Sequence, residues 1–360
     1  MEIFEPLGHR PMAERLWKAA AEGRLPHAIL VEGPEGIGKF ATLKWLAAGL
    51  LCAAGPAAPC GVCGPCKRVQ SGGAQGNHGD LFTIDPVAEG EEHIKVGRIA
   101  TRSDASGAEN SACLENFLDL TRVEAGPRVV LIRECQRMNT AAQNALLKTL
   151  EEPRPGTLIL METHRAMGLL STIRSRCISV RLDPLGPEPC AQVLAQAGLG
   201  LEQATSLARM AEGSPGRALA WHRRGALGFR RALVECLHGE VSPLLVAQSL
   251  WELEGEFTGG TPTAQARSRA RFVIELALAL LQDQSRAAQG LPLERLPHGD
   301  VVRLDLRRFD ALSCAKAREG LLVCRADVER NLTPDAVLER ALLLLAQCGH
   351  AQSPSPAASR

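Results

Sequence analysis

Apolar residues are distributed along the chain in two regimes. In the first half, short unbroken runs at Ala28–Val31, Val129–Ile132 and Thr157–Met161 are too brief for helices and read as buried strands. Between them lie helical patterns: Phe40–Leu46, and a segment capped by Asn139 or Thr140 and ended by Pro153. After the Pro-bearing stretch Leu182–Leu185 the pattern becomes wholly helical, over Glu188–Ala197, Leu201–Glu212 and Pro215–Trp221. From about Ala226 the residues Ala, Leu, Arg and Glu recur at helical spacing, most densely at Phe272–Leu281. Loops at Gly255–Pro262 and Gly290–Pro292 interrupt them, and a last helix begins at Thr333-Pro334 and runs through Leu345.

The strand Ala28–Val31 and the helix from Phe40 enclose Gly33-Pro34-Glu35-Gly36-Ile37-Gly38-Lys39, a phosphate-binding loop in its proper setting. In such a loop, backbone N–H groups and the following helix N-terminus cradle phosphate oxygens, the lysine neutralises them, and a Ser or Thr holds Mg²⁺. Here Phe40 occupies that last position, and a phenyl ring holds no metal. Only seven lysines occur in the chain, so one at the required place is a specific signal. Gly33, Gly36, Gly38 and Lys39 are therefore the candidate nucleotide contacts, for ATP or ADP bound without hydrolysis or for no ligand at all.

A 360-residue chain that is 45% hydrophobic has ample material for two or three domains. Its net charge of +1 argues against a freestanding nucleic-acid binder, and 3% aromatics with no Tyr argue against a stacking platform for single strands. The N-terminal Met1–Pro6 lacks a basic region and an apolar run, and no segment has the length of a membrane span. A cytoplasmic protein with no membrane partner is expected, and its twelve cysteines should be thiols or metal ligands. Four of them, Cys52, Cys60, Cys63 and Cys66, have a C-x7-C-x2-C-x2-C spacing, with Gly61, Gly64 and Pro65 to turn the chain. All-sulfur ligation suits a structural, tetrahedral Zn²⁺ with no open position; redox-active thiols are the other reading.

In P-loop enzymes a strand such as Val129–Ile132 ends in an Asp-Glu pair for Mg²⁺ and water. This one ends in Arg133-Glu134, so a second element of cis hydrolysis is missing, and Glu134 reads as a solvated carboxylate or a residual base. Beyond it, Asn144-Ala-Leu-Leu-Lys-Thr-Leu-Glu-Glu-Pro153 and Ser171-Thr-Ile-Arg-Ser-Arg-Cys177 resemble the AAA+ clamp-loader subunits of bacterial DNA polymerase III. Leu25-Pro26-His27-Ala28, the four-cysteine module and Glu212–Leu219 extend the likeness over most of the first 220 residues. Two kinds of subunit in that family share the zinc module and Ser-Arg-Cys. With Lys39-Phe40 and Arg133-Glu134 the chain is similar to the delta prime branch rather than to the ATP-hydrolysing gamma/tau motors, which would show Lys-Thr and Asp-Glu.

The resemblance implies an α/β fold: a P-loop AAA+ domain with a parallel sheet and inserted zinc module, a small helical lid domain, and an all-α C-terminal collar domain. The corresponding bounds are 1–182, 183–225 and 226–350, with a disordered tail at 351–360. It implies a stator that serves ATP-driven loading of the sliding clamp onto primed DNA and supplies Arg176, in the Ser-Arg-Cys motif, in trans to a neighbouring motor. The implied partners are the gamma/tau motor and delta subunits and, through the complex, the clamp and primer-template DNA. Arg217 falls at the family's nucleotide-sensing position and Thr163 at its other sensor. On the residues alone, the other reading of Arg176, following a strand, is an edge salt bridge, that of Arg174 a solvated cation, and that of Arg217 a structural role. A gamma/tau-type ATPase and a zinc-dependent DNA-binding regulator are the alternative functions. The polar stretch Arg98–Ser111 reads as an exposed loop of no assigned role.

Overall fold

The computed structural model describes residues 6–71, 78–101, 113–124, 126–302, 309, 311–330 and 332–349. The chain divides into two compact units, residues 1–185 and 186–360. Among the described residues no helix is long and apolar enough to cross a membrane.

The first unit runs α1 (Arg10–Ala21), β1 (Ala28–Glu32), α2 (Lys39–Leu50), α3 (Gly64–Ser71), β2 (Leu81–Ile84) and α4 (Pro86–Glu89). It continues through α5 (Leu114–Asp119), β3 (Arg128–Ile132), α6 (Thr140–Glu151), β4 (Thr157–Thr163), α7 (Ser171–Arg174) and β5 (Ile178–Arg181). The strands form one parallel sheet in the order β2-β3-β4-β1-β5. Both faces of β1, β3 and β4 are covered, which is why these strands read as apolar runs, whereas the edge strand β5 is largely exposed. Strand period two sends alternate residues to opposite cores. Ile29, Val31, Val129, Leu131 and Leu160 pack with Met12, Trp17, Leu43 and Leu46 of α1 and α2. Ala28, Leu30, Val130, Ile132, Ile159 and Met161 pack with Leu114, Phe117, Leu146 and Ile173 of α5, α6 and α7. Each fully buried Leu, Ile or Val contributes about 1.5–3 kcal/mol, so this two-sided sheet carries much of the unit's stability.

Asn139, not Thr140, caps α6, its side chain accepting from Ala142 N at 2.8 Å. The opening of the Arg98–Ser111 stretch is not the exposed loop expected from its polarity. Val96–Arg98 form a 3₁₀ turn, Ile99 is fully buried, and Arg98 pairs with Glu89 at 2.7 Å. Residues 102–112 and the tail 351–360 lie outside the described residues.

The second unit is helical among its described residues: α8 (Pro187–Gln196), α9 (Leu201–Met210), α10 (Pro215–Arg223), α11 (Ala226–Leu237), α12 (Pro243–Glu252), α13 (Pro262–Ala288), α14 (Ala311–Glu329) and α15 (Pro334–Gly349). Proline in the first turn starts α8, α10, α12 and α13, where its missing N–H costs nothing. Ser214 stands at the N-cap of α10 but its side chain makes no capping bond. Three phenylalanines of this unit form a cluster. Phe229, Phe257 and Phe272 meet edge to face or tilted, and the Arg269 guanidinium lies 4.9 Å from the Phe257 centroid while donating to Leu250 O and Trp251 O.

Candidate functional site

The phosphate loop is folded as the motif requires. Gly36 (φ 78°) and Gly38 (φ 95°) are left-handed, and Gly38 is the N-cap of α2. A Cβ on Gly33 would overlap the Leu182 carbonyl oxygen, so only glycine fits where the loop leaves β1. At the N-cap of α1, buried His9 braces the turn, its Nε2 donating to Ile37 O at 3.0 Å. Burial keeps the His9 pKa below the ordinary value against the opposing effects of that bond and of Asp183. Lys39 is only 5% exposed; its Nζ donates to Pro34 O at 2.9 Å and lies 3.3 Å from Glu162 Oε2. The ammonium is thus already neutralised within the fold.

Phe40 and Arg133, the two departures from a hydrolytic site, lie against each other. The Arg133 guanidinium carbon is 5.2 Å from the Phe40 ring centroid, and its Nη1 donates to both carboxylate oxygens of Asp85 at 3.2 Å. In a P-loop enzyme the Ser/Thr after the lysine and the Asp ending the facing strand hold one Mg²⁺ between them. In this chain a ring and a guanidinium meet at those two positions, and the cation is covalent. Asp85, 0% exposed, also accepts from Val87 N and Ala88 N at 3.1 Å, capping α4. Glu134 is not a solvated carboxylate. It is 9% exposed, left-handed at φ 47°, donates its N–H to Glu162 Oε1 at 2.9 Å and pairs with Arg137. Glu162, Asp85 and His9 escaped the sequence reading; an acid directly after the apolar run Thr157–Met161 was the available signal for Glu162.

The cysteines converge. The Sγ atoms of Cys52, Cys60, Cys63 and Cys66 all lie within 4.8 Å of one another, with Cys52 and Cys63 at 3.9 Å. A tetrahedron of Zn–S bonds near 2.3 Å has an edge of about 3.8 Å, so the donor set fits one ion. Gly61 is left-handed at φ 74° and α3 begins at Gly64, which makes the turn that brings Cys60 and Cys63 around. Burial pushes the Cys66 thiol up to about 12. At Cys63 burial is outweighed by N–H groups of Cys66 and Ala53 and neighbouring thiols, bringing it down to about 6. A cation among them would hold all four as thiolates.

Arg176 does not follow directly on a strand. It comes after the short helix α7 and just before β5, the strand at one edge of the sheet. Its Nη2 lies 2.6 Å from Glu151 Oε1 and its Nη1 donates to Thr172 O at 3.0 Å, with 35% of the side chain exposed. Arg174 makes a long contact to Met167 Sδ at 3.6 Å. In the second unit, Arg217 is engaged locally: it donates to Ala211 O, lies 3.8 Å from Glu212, and stacks 5.5 Å from the Trp221 centroid. Thr163 Oγ1 donates to Gln136 Oε1 at 2.7 Å and accepts from Arg165 N at 3.0 Å, so its one proton is engaged at the end of β4.

A family model described as DNA polymerase III, delta subunit, matches residues 8–186. The chain is 34% identical over 245 residues to DNA polymerase III subunit delta′ of Pseudomonas aeruginosa, covering 67% of this chain and 70% of that one. The chain belongs to the delta prime family of DNA polymerase III. Another delta prime protein, from Bacillus subtilis, is 32% identical over 195 residues, or 54% of each chain. Likeness also reaches outside the delta prime group: DNA polymerase III subunit tau of Escherichia coli is 29% identical over 301 residues, 81% of this chain and 41% of that one. The phosphate loop, the four cysteines and Arg176 all lie within the segment that the delta prime family model matches.

Proposed function

We propose that this chain is a non-hydrolysing stator of the DNA polymerase III clamp loader, needed for ATP-driven loading of the sliding clamp onto primed DNA. It lends Arg176 in trans to the ATP site of an adjacent gamma/tau motor. Residues 1–182 form the AAA+ domain with a structural Zn²⁺ on its four cysteines, residues 183–225 the lid, and residues 226–350 the collar that joins the gamma/tau and delta subunits. Clamp and primer-template DNA are met through the assembled complex.

The observation that carries this reading is the Phe40–Arg133 contact. A guanidinium fixed on the phenyl ring and on Asp85 repels a divalent cation from the place where hydrolysis needs one, and Lys39 is already paired with Glu162. Arg176, by contrast, remains partly exposed at the edge of the sheet. A planar, permanently charged guanidinium suits a γ-phosphate gaining charge in the transition state, and it acts without any nucleotide of its own. Nucleotide held on the Gly33–Lys39 backbone, with Arg217 near it or not, leaves the reading intact; hydrolysis does not. The test is ATP hydrolysis by the pure chain: none above background is expected, and a rate abolished by Lys39→Ala would make it a motor. In the reconstituted complex, Arg176→Ala should leave assembly unchanged and slow hydrolysis at one motor site by about 10³.

A further inference from the structure

We propose that Glu151 is the positioning residue of Arg176, holding the guanidinium ready for a phosphate before any neighbour arrives. The inference rests on the trans-acting role of Arg176 proposed above. Glu151 is the last residue of α6, where the negative end of the helix dipole disfavours a carboxylate and favours a cation. A local rule broken at one position points to a compensating role elsewhere, and the compensation is visible. Glu151 Oε1 lies 2.6 Å from Arg176 Nη2, across the space between the end of α6 and the α7–β5 connection.

The second hold is the backbone. Arg176 Nη1 donates to Thr172 O at 3.0 Å, and Thr172 belongs to α7, which is closed by Ser175 N on Ser171 O and Arg176 N on Ile173 O. Two of the five N–H donors of the guanidinium are thereby engaged. Three remain for an incoming phosphoryl group. Fixing a long, rotamer-rich side chain in advance removes that ordering cost from the catalytic step, and small misplacements of such a group are expensive in rate. The pairing also discriminates between the two arginines of the motif. Arg174 has only the thioether of Met167 as a side-chain partner among the described residues, and its Nε is buried without an acceptor.

An exposed ion pair of this kind contributes little to folding, so its removal is separable from unfolding. The experiment is single-turnover ATP hydrolysis by the reconstituted complex on primed DNA and clamp, resolving the phase that Arg176→Ala slows. Glu151→Gln should slow the same phase about tenfold at saturating ATP, with the half-saturating ATP concentration unchanged. Glu151→Asp should recover part of the loss, and the double variant should be no slower than Arg176→Ala alone. Thermal unfolding of the isolated Glu151→Gln chain should match the wild type. If Arg176→Ala slows the phase and Glu151→Gln leaves it at the wild-type rate, or accelerates it, Glu151 is not a positioning residue and the arginine role stands. If Arg176→Ala changes no phase, the trans role itself is wrong and the positioning role goes with it.

Discussion

Removing both partners of the Phe40–Arg133 contact should cost less than the sum of removing each alone. Phe40→Leu keeps an apolar side chain packed beside the α1–α2 core but removes the aromatic face, while Arg133→Met keeps much of the stem and removes the charge. At 5.2 Å from the ring centroid and 31% exposed, the guanidinium is partly desolvated, which places the cation–π contribution at about 1 kcal/mol. Arg133→Met further strips Asp85 of its ion pair, though two α4 amides still serve that carboxylate, so about 2 kcal/mol is reasonable for the single change. The double variant should then be about 1 kcal/mol more stable than the sum of the singles predicts. Urea unfolding measures this if it reports the first unit alone. That unit holds Trp17 and Trp45, so a common Trp221→Phe/Trp251→Phe background leaves fluorescence from the right place. With a slope near 2.5 kcal/mol per molar, 1 kcal/mol is a midpoint shift of about 0.4 M. Coupling below about 0.3 kcal/mol would mean that the two departures are independent neighbours, and the idea that a guanidinium has taken over the metal's place would fail.

Three further outcomes are expected. Elemental analysis should find one zinc per chain, and none in Cys60→Ser/Cys63→Ser; a full metal content in that variant would remove the cysteine cluster as the site. The His298 ring is held down to about 4 by burial first and then by Arg230, against Asp300, while the backbone N–H of His298 donates to Asp283 Oδ2. Between that value and its unfolded value near 6.5 the unfolded chain binds the extra proton, so stability falls as pH drops through the window. His298→Gln should therefore flatten the stability–pH curve between about pH 6.5 and 4, by up to about 3 kcal/mol over the window at ~1.4 kcal/mol per unit; parallel curves would refute the assignment. Gly49 lies under Trp17, whose ring a Cβ would meet at 2.6 Å, so Gly49→Ala should destabilise the first unit by about 1–3 kcal/mol in the same urea assay.

Strands buried on both faces betray themselves as apolar runs, and so β1, β3 and β4 were legible within a residue or two. Ile29 and Leu30 look alike in sequence yet serve opposite cores, a distinction only the pleat makes. Spacing made the cysteines and the phosphate loop readable because both are local chemistry. What escaped was tertiary pairing. His9 reaches Ile37 from 28 residues away, Asp85 meets Arg133 across 48, and Glu134 is buried because β4 supplies Glu162. The Arg98–Ile99 turn was misread for the same reason: a single Ile in polar surroundings gives no periodic signal, and its burial depends on α5 and α6 packing over it.

Phe40 and Arg133 stand 93 positions apart, and sequence alone leaves them as two separate departures. Their contact changes the argument. The Arg133 guanidinium on the Phe40 ring also lies 3.2 Å from Asp85 and supplies the positive charge beside that buried carboxylate. A metal placed there would have to displace a cation already paired. On the proposed reading, a loop locked in this way does not cycle through hydrolysis. The partly exposed Arg176, held by Glu151 and Thr172 O, depends on none of the locked groups. On the proposed reading, the same fold is therefore rigid at its own phosphate loop and presents a preset guanidinium to a neighbour's, which is the combination a stator requires.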